Sequence, residues 1–128
     1  METRIGLVLL ATTWLLACSE AGGRVTSISP EALLAAGPAN ALILDVRTPG
    51  EFGSSHVPGA VNVPHGEVAA RLAELGTNRD RPVIVYCESG RRAGLAEALL
   101  IEAGFSDVRH LEGDMRAWRE AGRPTEKP

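Results

Sequence analysis

The spacing of apolar and polar positions changes along the chain, and each change marks an element. Val25–Ile28 predicts a short strand, and Ser29 and Pro30 supply the cap and first position of a helix through Ala32–Ala36, stopped by Gly37 and Pro38. Ala41–Val46 is a nearly continuous apolar run, which predicts a strand covered on both faces, as in a parallel sheet. Thr48 to Pro58, rich in Gly, Ser and Pro, predicts a loop, followed by a short strand at Ala60–Val63. Glu67 to Leu75 predicts a helix with Val68, Leu72 and Leu75 on one face. Val83–Tyr86 is the strongest strand by β-branched content. Arg92 to Ala103 predicts a helix ended by Gly104, then a strand at Val108–Leu111 and a helix at Asp114–Glu120. Gly122–Pro128 is expected to fray. Strands and helices alternating in this way predict an α/β fold, a parallel sheet with helices on both faces.

The amino end breaks the pattern. Ile5 to Ala17 carries no charge and follows Arg4, which matches an export signal; the run is shorter than the roughly 20 residues that span a bilayer. Leu15-Leu16-Ala17-Cys18 resembles the lipobox of bacterial lipoproteins, in which the cysteine becomes the lipidated first residue. The organisation read here is a signal peptide at 1–17, an anchor and tether at 18–24, a folded domain at 25–121 and a flexible tail at 122–128. Localisation is then exported, on a periplasmic or cell-envelope face, with the domain held to a membrane by lipid on Cys18. Ordinary cleavage near Ala17 or Ala21 is the alternative.

Length and composition allow one domain. The 128 residues include 13 basic and 16 acidic side chains for a net charge of -3, which gives no basic surface for nucleic acid. Only Cys18 and Cys87 are cysteines. In an oxidising compartment they would pair, whereas a lipid on Cys18 excludes that bond and leaves Cys87 a single thiol.

In open parallel sheets chemistry gathers beyond the carboxyl ends of the strands. Cys87 follows such a strand directly, and Glu88, Ser89, Gly90, Arg91 and Arg92 lead into a helix. Backbone N–H groups of that loop, the helix dipole and the two arginines favour the thiolate, the reactive form of cysteine. Gly90 permits backbone angles closed to other residues. The bland alternative is a small buried cysteine at a strand end.

The segment Val83–Ala93 resembles the active-site loop of rhodanese domains: cysteine, two variable residues, glycine, one variable residue, arginine, then serine or alanine. Leu44–Phe52 is similar to the family's aspartate-valine-arginine stretch, His56–Pro64 to its histidine-isoleucine-proline-glycine-alanine stretch, and Leu111–Trp118 to its final signature. Ser55 and Asp114 stand where the family usually has glycine. The resemblance implies a rhodanese-like three-layer fold with about five parallel strands. It also implies a sulfurtransferase in which the Cys87 thiolate takes a sulfane sulfur from a small anion such as thiosulfate. The persulfide then passes it to cyanide or a thiol, including a protein acceptor.

Supporting roles are expected for five residues. Asp45 would steady the loop, Arg47 would pair with Glu51, His56 would serve as a turn or hydrogen-bonding residue, and Arg92 would orient the loop or the donor. Glu88, an acid in a basic loop, is expected to disfavour anionic donors. His65 and His110 have no metal-ligand spacing with any partner, so no metal and no cofactor are expected. A persulfide carrier without turnover is the non-enzymatic alternative. A phosphatase or arsenate reductase would need arginine six positions after the cysteine, where Ala93 stands.

Overall fold

The computed structural model describes residues 23–36 and 40–128. Cys18, with the signal and lipid readings that depend on it, lies outside the described residues, and no helix among them is long and apolar enough to cross a membrane. Five strands, β1 (Val25–Ile28), β2 (Leu42–Asp45), β3 (Val61–Asn62), β4 (Val83–Tyr86) and β5 (Val108–Leu111), form one sheet in the order β1-β5-β4-β2-β3. Every pairing is parallel.

Alternation within the central strands builds two cores. Leu42 and Leu44 of β2 and Val83 and Val85 of β4 face one side, with Ala93, Ala96 and Leu100 of α3 (Arg91–Glu102) packed over them. Ile43, Ile84 and Tyr86 face the other, against Leu33 of α1 (Pro30–Ala36) and Met115 and Trp118 of α4 (Asp114–Glu120). Both central strands are buried throughout, which is why they read as unbroken apolar runs. The edge strand β1 buries only Ile28.

Three segments depart from the sequence reading. The expected loop at 48–58 contains α2 (Pro49–Ser54). Thr48 Oγ1 accepts from Glu51 N at 3.2 Å, and Glu51 Oε2 accepts from Thr48 N at 2.9 Å, a capping box with Pro49 in the first turn. The expected helix at 67–75 is instead two 3-10 turns, His65–Glu67 and Leu72–Leu75. Val68 and Leu75 still bury, so the apolar spacing reported burial correctly and the helix type wrongly.

The carboxyl end is the third correction: it is tied down. Trp118 Nε1 donates to the Pro124 carbonyl at 2.7 Å, and the backbones of His56 and Glu126 exchange two hydrogen bonds of 2.9 Å. Arg123 pairs with Glu31 at 2.6 Å. The buried indole needs an acceptor, and a chain returning past α4 supplies one. Removing residues 123–128 is expected to cost about 2 kcal/mol, or roughly 10 °C in Tm for a domain of this size. Thermal denaturation of the truncated chain checks this, and an unchanged Tm would restore the frayed-tail expectation.

Candidate active site

Cys87 leaves the carboxyl end of β4, the middle strand, between the ends of β2 and β5. It is a free thiol, 1% exposed, in the core beneath α3. The loop after it turns on Gly90, whose φ of 110° is open to glycine and whose N–H donates to Cys87 Sγ at 3.0 Å. A Cβ at position 90 would also stand 3.1 Å from Asp114 Oδ2, so space as well as backbone angle requires glycine. A backbone N–H aimed at this sulfur is a donor that can hold negative charge there, on Cys87 itself or on an added sulfur.

The loop is fastened from the start of α4. Cys87 N donates to Asp114 Oδ1 at 3.0 Å, Met115 N donates to the Cys87 carbonyl at 3.0 Å, and Arg116 N donates to the Glu88 carbonyl at 3.1 Å. Asp114 does this at φ 54°, a left-handed angle that Asp tolerates better than most side chains. Its position, where glycine is usual in the stretch noted above, therefore adds a carboxylate directly behind the loop.

The supporting residues assemble differently from the expected pairings. Arg47 pairs with Asp45, not with Glu51: its Nε lies 3.1 Å from both carboxylate oxygens and its Nη2 2.7 Å from Oδ2. Both side chains are buried, and burial, which would lower Arg47, is outweighed by the Asp45 hydrogen bonds and charge that hold it above its usual range. Tyr86 Oη donates to Asp45 Oδ2 at 2.8 Å and accepts from Val57 N at 3.1 Å. Burial first, then the Asp45 charge, pushes the phenol up, so it stays a donor. Asn62 Nδ2 donates to the Asp45 and Arg47 carbonyls, each at 2.9 Å.

Glu51 goes to Arg92 instead, with contacts of 2.7 and 3.0 Å. The Arg92 hydrogen bond is the main reason its carboxyl is held down to about 2. Arg92 is raised by the same bond and, more weakly, by charge on Cys87. The pair thus joins the capped start of α2 to the start of α3, where the loop ends. His56 is buried, with its Nδ1 2.9 Å from the Phe52 carbonyl and its ring stacked on Phe52 at 3.7 Å. Ser55 offers its carbonyl to Arg47 Nη2 at 2.7 Å.

Glu88 does not stand alone among cations. Its carboxylate pairs with Arg119 of α4 and lies 3.6 Å from Arg47 Nη1. Ser89 and Arg91 are exposed beside it. The sequence reading did not find Arg119, Tyr86, or the buried group of Glu97, His110 and Asp114 behind the loop, whose members lie on three different elements. Among the described residues no three His, Cys, Asp or Glu side chains gather as metal ligands.

Comparison with known proteins agrees with this fold. Residues 29–121 match the Rhodanese-like domain family. A sulfurtransferase of Allochromatium vinosum is 36% identical over 87 residues, covering 68% of this chain and 79% of that protein. The thiosulfate sulfurtransferase GlpE of Pseudomonas syringae pv. syringae is 35% identical over 92 residues, covering 72% of this chain and 85% of that protein. Among solved structures, a rhodanese-related protein from Thermoplasma volcanium superposes with a TM-score of 0.71 at 26% identity, covering 80% of this chain and 99% of the other. An E. coli rhodanese with bound anions gives 0.59 at 33% identity, covering 68% and 98%. With five parallel strands, a cysteine loop at the middle strand and a match across most of its length, the chain belongs to the Rhodanese-like domain family.

Proposed function

We propose that the protein is a sulfurtransferase that carries sulfane sulfur on Cys87. The Gly90 N–H aimed at Sγ from 3.0 Å carries this reading, because it places a donor where negative sulfur must be held. The Cys87 thiolate attacks the outer sulfur of a donor such as thiosulfate. An Sγ–S bond forms, the donor's S–S bond breaks, and sulfite departs with the electron pair. Cyanide or a thiol then attacks the terminal sulfur, and the thiolate is returned. The short loop and the 1% exposure of Cys87 favour a small donor. The sulfurtransferase names of the relatives agree with this. Export and lipid attachment at Cys18 complete the proposal. Intact mass and membrane fractionation of the exported protein test that part, with release of C18S as the expected result.

Thiocyanate production from thiosulfate and cyanide is expected for the wild type and should fall to the uncatalysed background in C87S. Turnover that survives in C87S would contradict the mechanism. Wild type that gains one sulfur on Cys87 but makes no thiocyanate would favour the carrier.

Glu88 affects donor affinity through its partners. E88Q releases Arg119 from its ion pair, leaves Arg47 on Asp45 and removes an acid from the mouth, so KM for thiosulfate should fall about two- to fivefold. Steady-state kinetics at low salt checks this, and an unchanged or higher KM would contradict it.

A further inference from the structure

Behind the Cys87 loop lies a line of three titratable side chains that the proposed reaction does not use. His110, on β5, has Nδ1 hydrogen-bonded to Glu97 of α3 and Nε2 3.0 Å from Asp114 Oδ2. The Glu97 and Asp114 side chains are 8% and 5% exposed and His110 is 24% exposed, so all three are largely withdrawn from water. The other oxygen of Asp114 takes the Cys87 N–H. His110 and Asp114 both press on Gly90, whose absent Cβ would meet Asp114 Oδ2 at 3.1 Å and His110 Cε1 at 3.7 Å. The line therefore ends on the two residues that define the sulfur site, Cys87 and Gly90.

We infer that His110 is a positioning residue of the Cys87 loop: a cation fixed between Glu97 and Asp114 that holds the Asp114 carboxylate on the Cys87 N–H and cancels its charge beside the sulfur. The inference rests on Cys87 being the reacting thiol. An imidazole with a carboxylate on each nitrogen must donate from both, which only the protonated ring does. Hydrogen bonds from Asp114 first and Glu97 second push His110 up to about 10 from 6.5. The folded value lies above the unfolded one, so the stabilisation is fully present below about 6.5 and is lost as pH rises through about 10. The clamp thus stays charged through the neutral range. The strands beside His110 present Ser27 and Val85 in register, which do not titrate. Around the loop Arg92 is paired with Glu51, Glu88 with Arg119 and Arg47, and Arg47 with Asp45, while Arg91 is exposed; none of these is altered by the substitutions below. The cluster behind the loop carries two carboxylates and one cation, and its charge is what the substitutions can change.

The rate of Cys87 alkylation by iodoacetamide, followed against pH, reads the thiolate without requiring sulfur transfer. H110Q leaves two carboxylates uncompensated and should raise the pH of half-maximal rate by about half to one unit. E97Q removes the outer carboxylate and should move it the opposite way by about half a unit. H110Q/D114N should return it to within about 0.3 of the wild-type value, since one charge of each sign is gone. A purely scaffolding role would shift all the variants in one direction. Shifts of H110Q and E97Q in the same direction, or a double variant no closer to wild type than H110Q, would overturn the inference. If H110Q fails to fold, E97Q decides, and no downward shift would overturn it. Wild-type Cys87 inert to the reagent across the pH range would overturn the reactive-thiol reading, and this inference with it.

Discussion

Both backbone polar groups of Cys87 are taken by the beginning of α4: its N–H by the Asp114 carboxylate and its carbonyl by the Met115 N–H. A residue buried to 1% at the end of a central strand cannot leave those groups unpaired, since each orphaned group costs on the order of 1–3 kcal/mol. The clamp therefore satisfies the backbone and fixes the cysteine at once. Three residues on, the Gly90 N–H turns back towards the sulfur. Sheet order makes this possible, because β5 lies beside β4 and delivers α4 to the same end of the sheet.

On the other flank the β2 end contributes a buried ion pair. Asp45 and Arg47 are each at most 2% exposed, and such a pair survives burial only when its remaining hydrogen-bonding capacity is met. Tyr86 and the Ser55 carbonyl meet it, while Asn62 holds the backbone of both residues. The network joins β2, β4 and the segment after α2, and Arg47 extends it to Glu88 in the loop. Arg92 and Glu51 close the third side. The site is thus a sulfur surrounded by elements locked to one another, with little freedom left in the loop backbone.

How legible this was depended on sequence distance. The strands, the cysteine loop and the helix after it are local patterns, and Val83–Tyr86 and Ala41–Val46 read correctly because burial on both faces writes an unbroken apolar run. The helix α2 was legible too: Thr48, Pro49 and Glu51 spell a capping box with proline in the first turn, but Gly50, Gly53 and the serines obscured it. Between 67 and 75 the apolar spacing fits a helix, and the chain instead breaks at Arg71, where φ is -114°, between two 3-10 turns. Pairings across elements could not be read. Asp45–Arg47 and Arg47–Glu51 are equally plausible by spacing, and only the fold sends Glu51 to Arg92. Glu97, His110 and Asp114 carry no motif, because they meet only when α3, β5 and α4 come together.

In the proposed function the Gly90 donor and the α4 clamp make Cys87 a seat for one sulfur atom. Intact mass spectrometry of the purified protein after exposure to thiosulfate, with sulfite removed, tests this most directly. The wild type is expected to gain the mass of one sulfur, located on Cys87 by fragmentation, and C87S to gain none. An unmodified wild type, or sulfur found on C87S, would contradict it.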